Sequence, residues 1–304
     1  MDVKNIGFIG LGSMGDGMTK NLLKAGYAVS GYDVNSDAVK RLADAGGTAA
    51  ATPAECAAKS DMLIVCVFSD DQANDVLFGV TGAAATLRSG ATVVMSTTMA
   101  PEACREMAKR LESTGHLFID APVTGGKRGA DQGTLTVIAA GPAAAMAAAE
   151  GPFKAMGERV YHVGADAGAG SSVKMINQLL VGTHVAAAAE AIALATRAGA
   201  DPNVVFDVIT HGAGNSVAFE TRIPNILAGD YTPRGVVDIF IKDLGIVTET
   251  GKALRFPLPI ASAALQQFLA ASAAGHGGED DGAVVKVYEE LSGIDVAAAA
   301  RKKD

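Results

Sequence analysis

Gly10-Leu11-Gly12-Ser13-Met14-Gly15 spells G-x-G-x-x-G. These residue types suit one task, which is to hold the pyrophosphate of a dinucleotide. Gly10 permits a tight turn, Gly12 lets the backbone approach the phosphates, and Gly15 lets a helix pack against a strand. The string follows the apolar run Ile6 to Ile9 and opens a helical stretch from Met14 to Ala25, the context in which it carries meaning. A helix that starts there offers free N–H groups and a partial positive charge to the phosphates. Asp33 ends a second apolar strand, 21 residues past Gly12. A carboxylate at that place accepts hydrogen bonds from the adenosine ribose of NAD and repels the 2′-phosphate of NADP. Val34-Asn35-Ser36 adds no arginine to hold that phosphate. NAD is therefore the expected cofactor. Val67 and Phe68 follow the third strand, and Ser96-Thr97-Thr98 follow the fourth, where open parallel sheets bind ligands.

A second set of residues has the means for acid–base work. Lys174 and Asn177 stand three apart in a helical pattern and share a face, with Gln178 beside them. Oxidising an alcohol needs a base for the hydroxyl proton while hydride leaves carbon. A free lysine, with a pKa of about 10.4, is a poor base at neutral pH, and burial shifts it in the useful direction. By residue type alone Lys174 reads equally as a solvated helix lysine. Gly125-Gly126 makes a turn whose N–H groups can form an anion-binding concavity, with Lys127 and Arg128 either adding positive potential or standing as solvated charges. His211 lies in a loop, as a cleft residue or a structural one. His276 sits in an acidic stretch expected to be flexible. His116, His162 and His184 show no ligand spacing, and Cys56, Cys66 and Cys104 show none either, so no metal is expected.

These residues must be positioned by two domains. The chain has 304 residues, of which 49% are hydrophobic, enough for two cores. Strands are expected at Ile6 to Ile9, Ala28 to Tyr32, Met62 to Phe68, Thr92 to Met95, Leu117 to Asp120, Thr134 to Ala139 and Val160 to Val163, alternating with helices. That alternation predicts an α/β Rossmann domain over residues 1–164, with a parallel, doubly wound sheet. Residues 165–304 read as an all-α domain: a long helix from Ser172 to about Ala198, then helices over Pro202 to Thr210, Val236 to Leu254, Ile260 to Ala274 and Ala283 to Leu291. Met1-Asp2 and Ala297 to Asp304 are expected to fray. The net charge of -8 argues against nucleic acid. No secretory signal and no membrane span is expected, and the cysteines imply no disulfide framework, so the expected location is cytoplasmic.

Four ordered blocks carry a family resemblance across nearly the whole chain. They are Gly7 to Gly15 running on to Met18 and Asn21, Asp120 to Gly126, Gly168-Ala169-Gly170 with Lys174 and Asn177, and Lys242-Asp243-Leu244. Together they resemble the 3-hydroxyisobutyrate dehydrogenase family. The resemblance implies NAD-linked oxidation of a small hydroxy acid. It implies Lys174 as catalytic acid/base and Asn177 as a substrate-holding residue. Thr124, Gly125 and Gly126 would bind the substrate carboxylate; Thr124 stands where the family usually has serine. Thr98 and Lys242, with Asp243 beside them, would join Gly10 to Gly15, Asp33, Val67 and Phe68 around the cofactor. Gly212 to Ser216, Arg222, Gly229 to Pro233 and Val237 to Val247 resemble one branch, which oxidises a four-carbon sugar acid at C2, and Asn215 and Ser216 suit such a polyhydroxylated substrate. The family implies a homodimer or homotetramer. The alternatives are a 3-hydroxyisobutyrate dehydrogenase, a tartronate semialdehyde reductase, or a non-catalytic NAD-binding protein.

Overall fold

The computed structural model describes residues 3–302. The chain divides into two compact units, Met1–Met175 and Ile176–Asp304.

In the first unit, short β-branched and apolar runs form β1 (Asn5–Ile9), β2 (Ala28–Tyr32), β3 (Thr48–Ala49), β4 (Met62–Val65), β5 (Thr92–Met95) and β6 (Leu117–Asp120). They lie parallel in the order β3-β2-β1-β4-β5-β6. Helices α1 (Ser13–Lys24), α2 (Ser36–Asp44), α3 (Pro53–Ala57), α4 (Asp70–Phe78) and α5 (Pro101–Glu112) make the crossovers. Alternation along β4 explains why both faces are covered. Met62 and Ile64 point into one core with Met18 and Leu22 of α1, while Leu63 and Val65 point into another with Leu77 of α4 and Leu111 of α5. The strand order reverses between β1 and β4, which opens a crevice at their carboxyl ends.

The sheet is mostly parallel, as the alternation predicts, with a reversal at one edge. β7 (Val123–Thr124) continues β6, α6 (Gly126–Gln132) follows, and β8 (Leu135–Ala140) returns antiparallel to β6 and β7. The ten residues 125–134 are too few for a parallel crossover, which takes about a dozen or more. After α7 (Ala143–Met156), β9 (Gly157–Gly164) pairs parallel with β8.

The long helix α8 (Ala169–Arg197) starts three residues before the expected Ser172 and runs for 29 residues. At 1.5 Å per residue it is about 43 Å long. By length and composition alone it passes for a membrane-crossing helix. Its Val185, Ala189 and Ile192 are instead buried, and it carries Lys174, Asn177 and Gln178.

The second unit is helical: α9 (Pro202–Thr210), α10 (Val217–Ala228), α11 (Val237–Ala253), α12 (Pro259–Ala271), α13 (Val285–Ser292) and α14 (Val296–Arg301). Among its described residues the extended pairing is a single bridge, Val236 to Asp280. Two helices correct the sequence reading. Pro224 hides α10, which Ser216 starts by accepting the Phe219 N–H. The fraying expected over 297–304 is overturned as far as Arg301, because Asp295 caps α14 and Val296 is buried. The fraying expected at Met1-Asp2, and at the last two residues, lies outside the described residues. The acidic stretch after His276 is not loose either. Arg222 donates from Nε and Nη2 to the two oxygens of buried Asp281, at 2.8 and 2.9 Å. Lys286 donates to Glu279.

One packing contact ties the fold to the candidate site. A Cβ on Gly17 of α1 would stand 2.6 Å from the Ala130 carbonyl carbon of α6. Asn21, one turn on, donates from Nδ2 to the Ala130 carbonyl at 2.7 Å. The helix that follows Gly125-Gly126 is thus pressed onto the helix that follows the glycine loop. Because the obstacle is backbone, Gly17→Ala is expected to destabilise the protein by about 1–3 kcal/mol, the usual cost of overpacking. Denaturant unfolding measures this, and unchanged stability would show that α1 and α6 separate freely.

Candidate active site

The loop from β1 to α1 leaves no room for side chains at two positions. A Cβ on Gly10, at φ +97°, would lie 2.2 Å from the Cys66 carbonyl oxygen, and one on Gly15 would lie 1.9 Å from the Gly10 oxygen. Gly12 differs, since nothing stands within 4 Å of a Cβ built there. Gly12 is the N-cap of α1, and no side chain caps the helix. Exposed backbone at an uncapped helix start fits a pyrophosphate. An open depression lined by Gly12, Ser13, Asp16, Asn35, Arg41 and Lys127 lies beside it.

Asp33 follows β2 and is held in this loop. Its Oδ2 accepts the Leu11 N–H at 2.6 Å and its Oδ1 accepts the Asn35 N–H at 2.8 Å. A carboxylate has about four lone-pair sites, so two remain for ribose hydroxyls. Sequence reasoning missed the Leu11 contact, which sets the carboxylate before any ligand arrives. It placed Thr97 at a strand end but missed its contact: this buried residue after β5 accepts the Val67 N–H through Oγ1 at 3.0 Å. That bond fixes the segment where Val67 and Phe68 leave β4. Thr98 follows, half-buried. Because β1, β2, β4 and β5 are parallel, these residues line one edge of the sheet.

The same edge holds the residues expected to act on substrate within the first unit. Lys174 is only 6% exposed. Burial pushes the Cys66 thiol up to about 12, and the positive charge of Lys174 pulls it the other way. The lysine ammonium therefore lies near the carboxyl end of β4. Asp120, fully buried at the end of β6, accepts the Gly168 N–H at 2.9 Å, the Ser171 N–H at 2.8 Å and the Ser171 hydroxyl at 2.7 Å. Desolvation raises the Asp120 carboxyl above its ordinary value, against the pull of those donors. Thr124 is half-buried at the end of β7. Gly125 and Gly126 follow it at φ +127° and +62°. Two positive φ values in a row expose this backbone and forbid a strain-free side chain at either glycine.

Asn177 and Lys242 belong to the second unit, where a hydrogen-bonded chain links them. Asn177 donates from Nδ2 to Gln178 Oε1 at 2.9 Å. Gln178 donates from Nε2 to one oxygen of Asp243, and Lys242 donates to the other. Asp243 is 2% exposed. A carboxylate can only accept, so it dictates which end of the Gln178 amide faces it, and hence which end faces Asn177.

The other candidates make local contacts. His211 caps α9 with an exposed ring whose Nδ1 meets the Asp207 carbonyl at 2.7 Å. His276 packs against Glu279 at 3.2 Å. Lys127 bonds Asp131 at 2.6 Å. Asn215 donates to Glu220 and to the Thr210 carbonyl, and Ser216 caps α10, so both are engaged in local structure. Among the described residues no group of three or more His, Cys, Asp or Glu side chains could hold a metal ion.

The chain is similar to known proteins over most of its length. A family model described as the NAD binding domain of 6-phosphogluconate dehydrogenase matches residues 5–164. A second, described as NAD-binding of NADP-dependent 3-hydroxyisobutyrate dehydrogenase, matches residues 168–288. The chain is 50% identical over 285 residues to the L-threonate dehydrogenase of Cupriavidus necator, covering 94% of this chain and 96% of that one. It is 46% identical over 289 residues to the L-threonate dehydrogenase of Escherichia coli, covering 95% and 96%. Among solved structures, a 3-hydroxyisobutyrate dehydrogenase from Salmonella typhimurium matches with a TM-score of 0.89 and 46% identity, over 93% of this chain and 99% of that one.

Asp33 generates the prediction here. Hydrogen bonds to a charged group contribute about 1.5–3 kcal/mol, so Asp33→Ala is expected to weaken NAD binding by at least about tenfold and to narrow the gap between NAD and NADP. Fluorescence titration with both cofactors checks it. Equal affinities for NAD and NADP in the parent would show that Asp33 does not discriminate.

Proposed function

Since the chain belongs to the 3-hydroxyisobutyrate dehydrogenase family and is an NAD-dependent dehydrogenase of hydroxy acids, we propose that it oxidises L-threonate at C2 to the 2-oxo acid. The observation that carries the catalytic part is the burial of Lys174 near the strand ends that bear the glycine loop. The naming of the Cupriavidus necator and Escherichia coli relatives supports the substrate. A second reading, 3-hydroxyisobutyrate, is favoured by the name of the Salmonella typhimurium structure. The polar residues Asn215 and Ser216 do not decide between them, because the fold itself uses both.

The residues would divide the work as follows. Gly10, Leu11, Gly12, Ser13, Met14 and Gly15 hold the pyrophosphate, and Asp33 holds the adenosine ribose. Val67, Phe68, Thr98 and Lys242 flank the rest of the cofactor. Bound NAD supplies the hydride acceptor. Thr124 through its hydroxyl, and Gly125 and Gly126 through their N–H groups, bind the substrate carboxylate. Asn177 orients the hydroxyl at the reacting carbon. Lys174 Nζ, uncharged at the start, takes the hydroxyl proton as the C2–H bond breaks and the carbonyl forms; it ends as an ammonium. The cofactor domain of this reading ends at residue 164, and the substrate and assembly domain runs from residue 165, with α8 as its first helix. We take the assembly to be a homodimer or homotetramer in the cytoplasm. Val173, Ile176 and Leu180 are apolar, exposed and spaced along one face of α8, and all three cysteines are free thiols.

Two outcomes test the reading. Lys174→Ala is expected to lower kcat by about 10²–10⁴ with NAD affinity kept, the usual worth of a positioned proton-transfer group. Lys174→Arg should not rescue it, because a guanidinium stays protonated. Turnover of Lys174→Ala within about threefold of the parent would place the base elsewhere. Thr124→Val keeps the shape but removes the hydroxyl, and is a cleaner probe than a change at either glycine, whose φ excludes side chains. It should raise KM for L-threonate by about tenfold, the cost of one hydrogen bond to a charged group, while NAD affinity stays put. An unchanged KM would remove Thr124 from the carboxylate site.

A further inference from the structure

The chemistry proposed above needs Lys174 and the Thr124-Gly125-Gly126 turn at a fixed separation, since one must reach the hydroxyl while the other holds the carboxylate. We propose that Asp120 sets that separation, as a positioning residue that acts through the first turn of α8.

Asp120 joins both parts. It ends β6, four residues before Thr124 on nearly continuous strand. Its carboxylate also holds the start of α8. Oδ2 accepts two N–H groups, from Gly168 and Ser171, and Oδ1 accepts the Ser171 hydroxyl. A helix start has four N–H groups without partners inside the helix, normally met by a residue two or three positions away. Here the acceptor lies 48 residues away in sequence, on the sheet. Rotation of α8 about its axis or a shift along it would break all three contacts. The fit is close on the backbone side too. A Cβ on Gly170 would lie 2.6 Å from the Asp120 carbonyl oxygen and 2.7 Å from that of Ile138 on β8.

Lys174 is one turn beyond Ser171, so it shares that face at a rise of about 4.5 Å. Clamping Ser171 therefore clamps the root of the lysine side chain, whose charge is felt at Cys66 after β4. A displacement of about 1 Å in such a site costs on the order of 100-fold in rate. A buried carboxylate is costly to keep, and it persists here with three donors arranged around it.

This inference rests on Lys174 being the acid/base, and the test separates the two. The measurement is kcat for L-threonate oxidation by NAD, with NAD affinity titrated separately, in a double-mutant cycle on the full chain. Asp120→Ala is expected to lower kcat by about 100-fold and to leave NAD affinity within about twofold. Asp120→Asn should recover to within about tenfold, because the amide oxygen can meet the two N–H groups while its NH2 donates to Ser171 Oγ. In a Lys174→Ala background, Asp120→Ala should cost no more than about threefold further, since a residue acting through the lysine loses its effect with it. If Asp120→Ala does not fold, Ser171→Ala carries the same cycle, with a loss of about tenfold alone and none beside Lys174→Ala. Losses that multiply in either cycle, or a folded Asp120→Ala with unchanged kcat, would overturn the inference. If Lys174→Ala alone keeps parental turnover, the reading of the lysine falls first and this inference with it.

Discussion

No side chain fits at Gly10 or at Gly15, where β1 turns into α1. The Cβ positions of Gly10 and Gly15 are occupied by backbone, at 2.2 and 1.9 Å. From that exclusion the cofactor end follows. The helix can start close against the strand, its uncapped N–H groups point at the edge of the sheet, and Leu11 comes within reach of Asp33. The same tight approach recurs at Gly17, which lets α6 dock on α1 and so carries the Gly125-Gly126 turn toward the glycine loop. The Gly125-Gly126 turn and the glycine loop, to which we assign the carboxylate and the pyrophosphate, are thereby held by one packed helix pair.

Charge burial organises the rest of the first unit. Asp120 and Lys174 are both nearly inaccessible, and burying an ionisable group is unfavourable unless it is hydrogen-bonded or neutralised. Asp120 meets this with three donors. Lys174, 6% exposed, stands under the same constraint. The second unit repeats the logic in Asp243, which receives Gln178 and Lys242, and in Asp281, which receives Arg222. In each case an acceptor-only group dictates the orientation of its neighbours.

Much of this was legible in sequence because it depends on local spacing. The glycine string and the strand–helix alternation announce the Rossmann domain, and Lys174 and Asn177 lie on adjacent turns of the expected long helix. What stayed hidden depends on contacts between distant segments. The bond from Leu11 to Asp33, the grip of Asp120 on Ser171 and the hold of Thr97 on Val67 span 22 to 51 residues. Local signals also misled. Pro224 concealed α10, and the glycines and acids around His276 suggested mobility where Arg222 and Lys286 impose order. Asn215 and Ser216 also serve a turn and a helix cap, which their residue types alone did not announce.

The central claim is that hydride leaves C2 of a sugar acid held by the first unit. The direct test uses L-threonate deuterated at C2, with NAD, and follows the label. The account predicts deuterium in the reduced nicotinamide and a slowed kcat/KM relative to the unlabelled acid. Unlabelled NADH from that donor, with label transferred instead from L-threonate deuterated at C3, would contradict it.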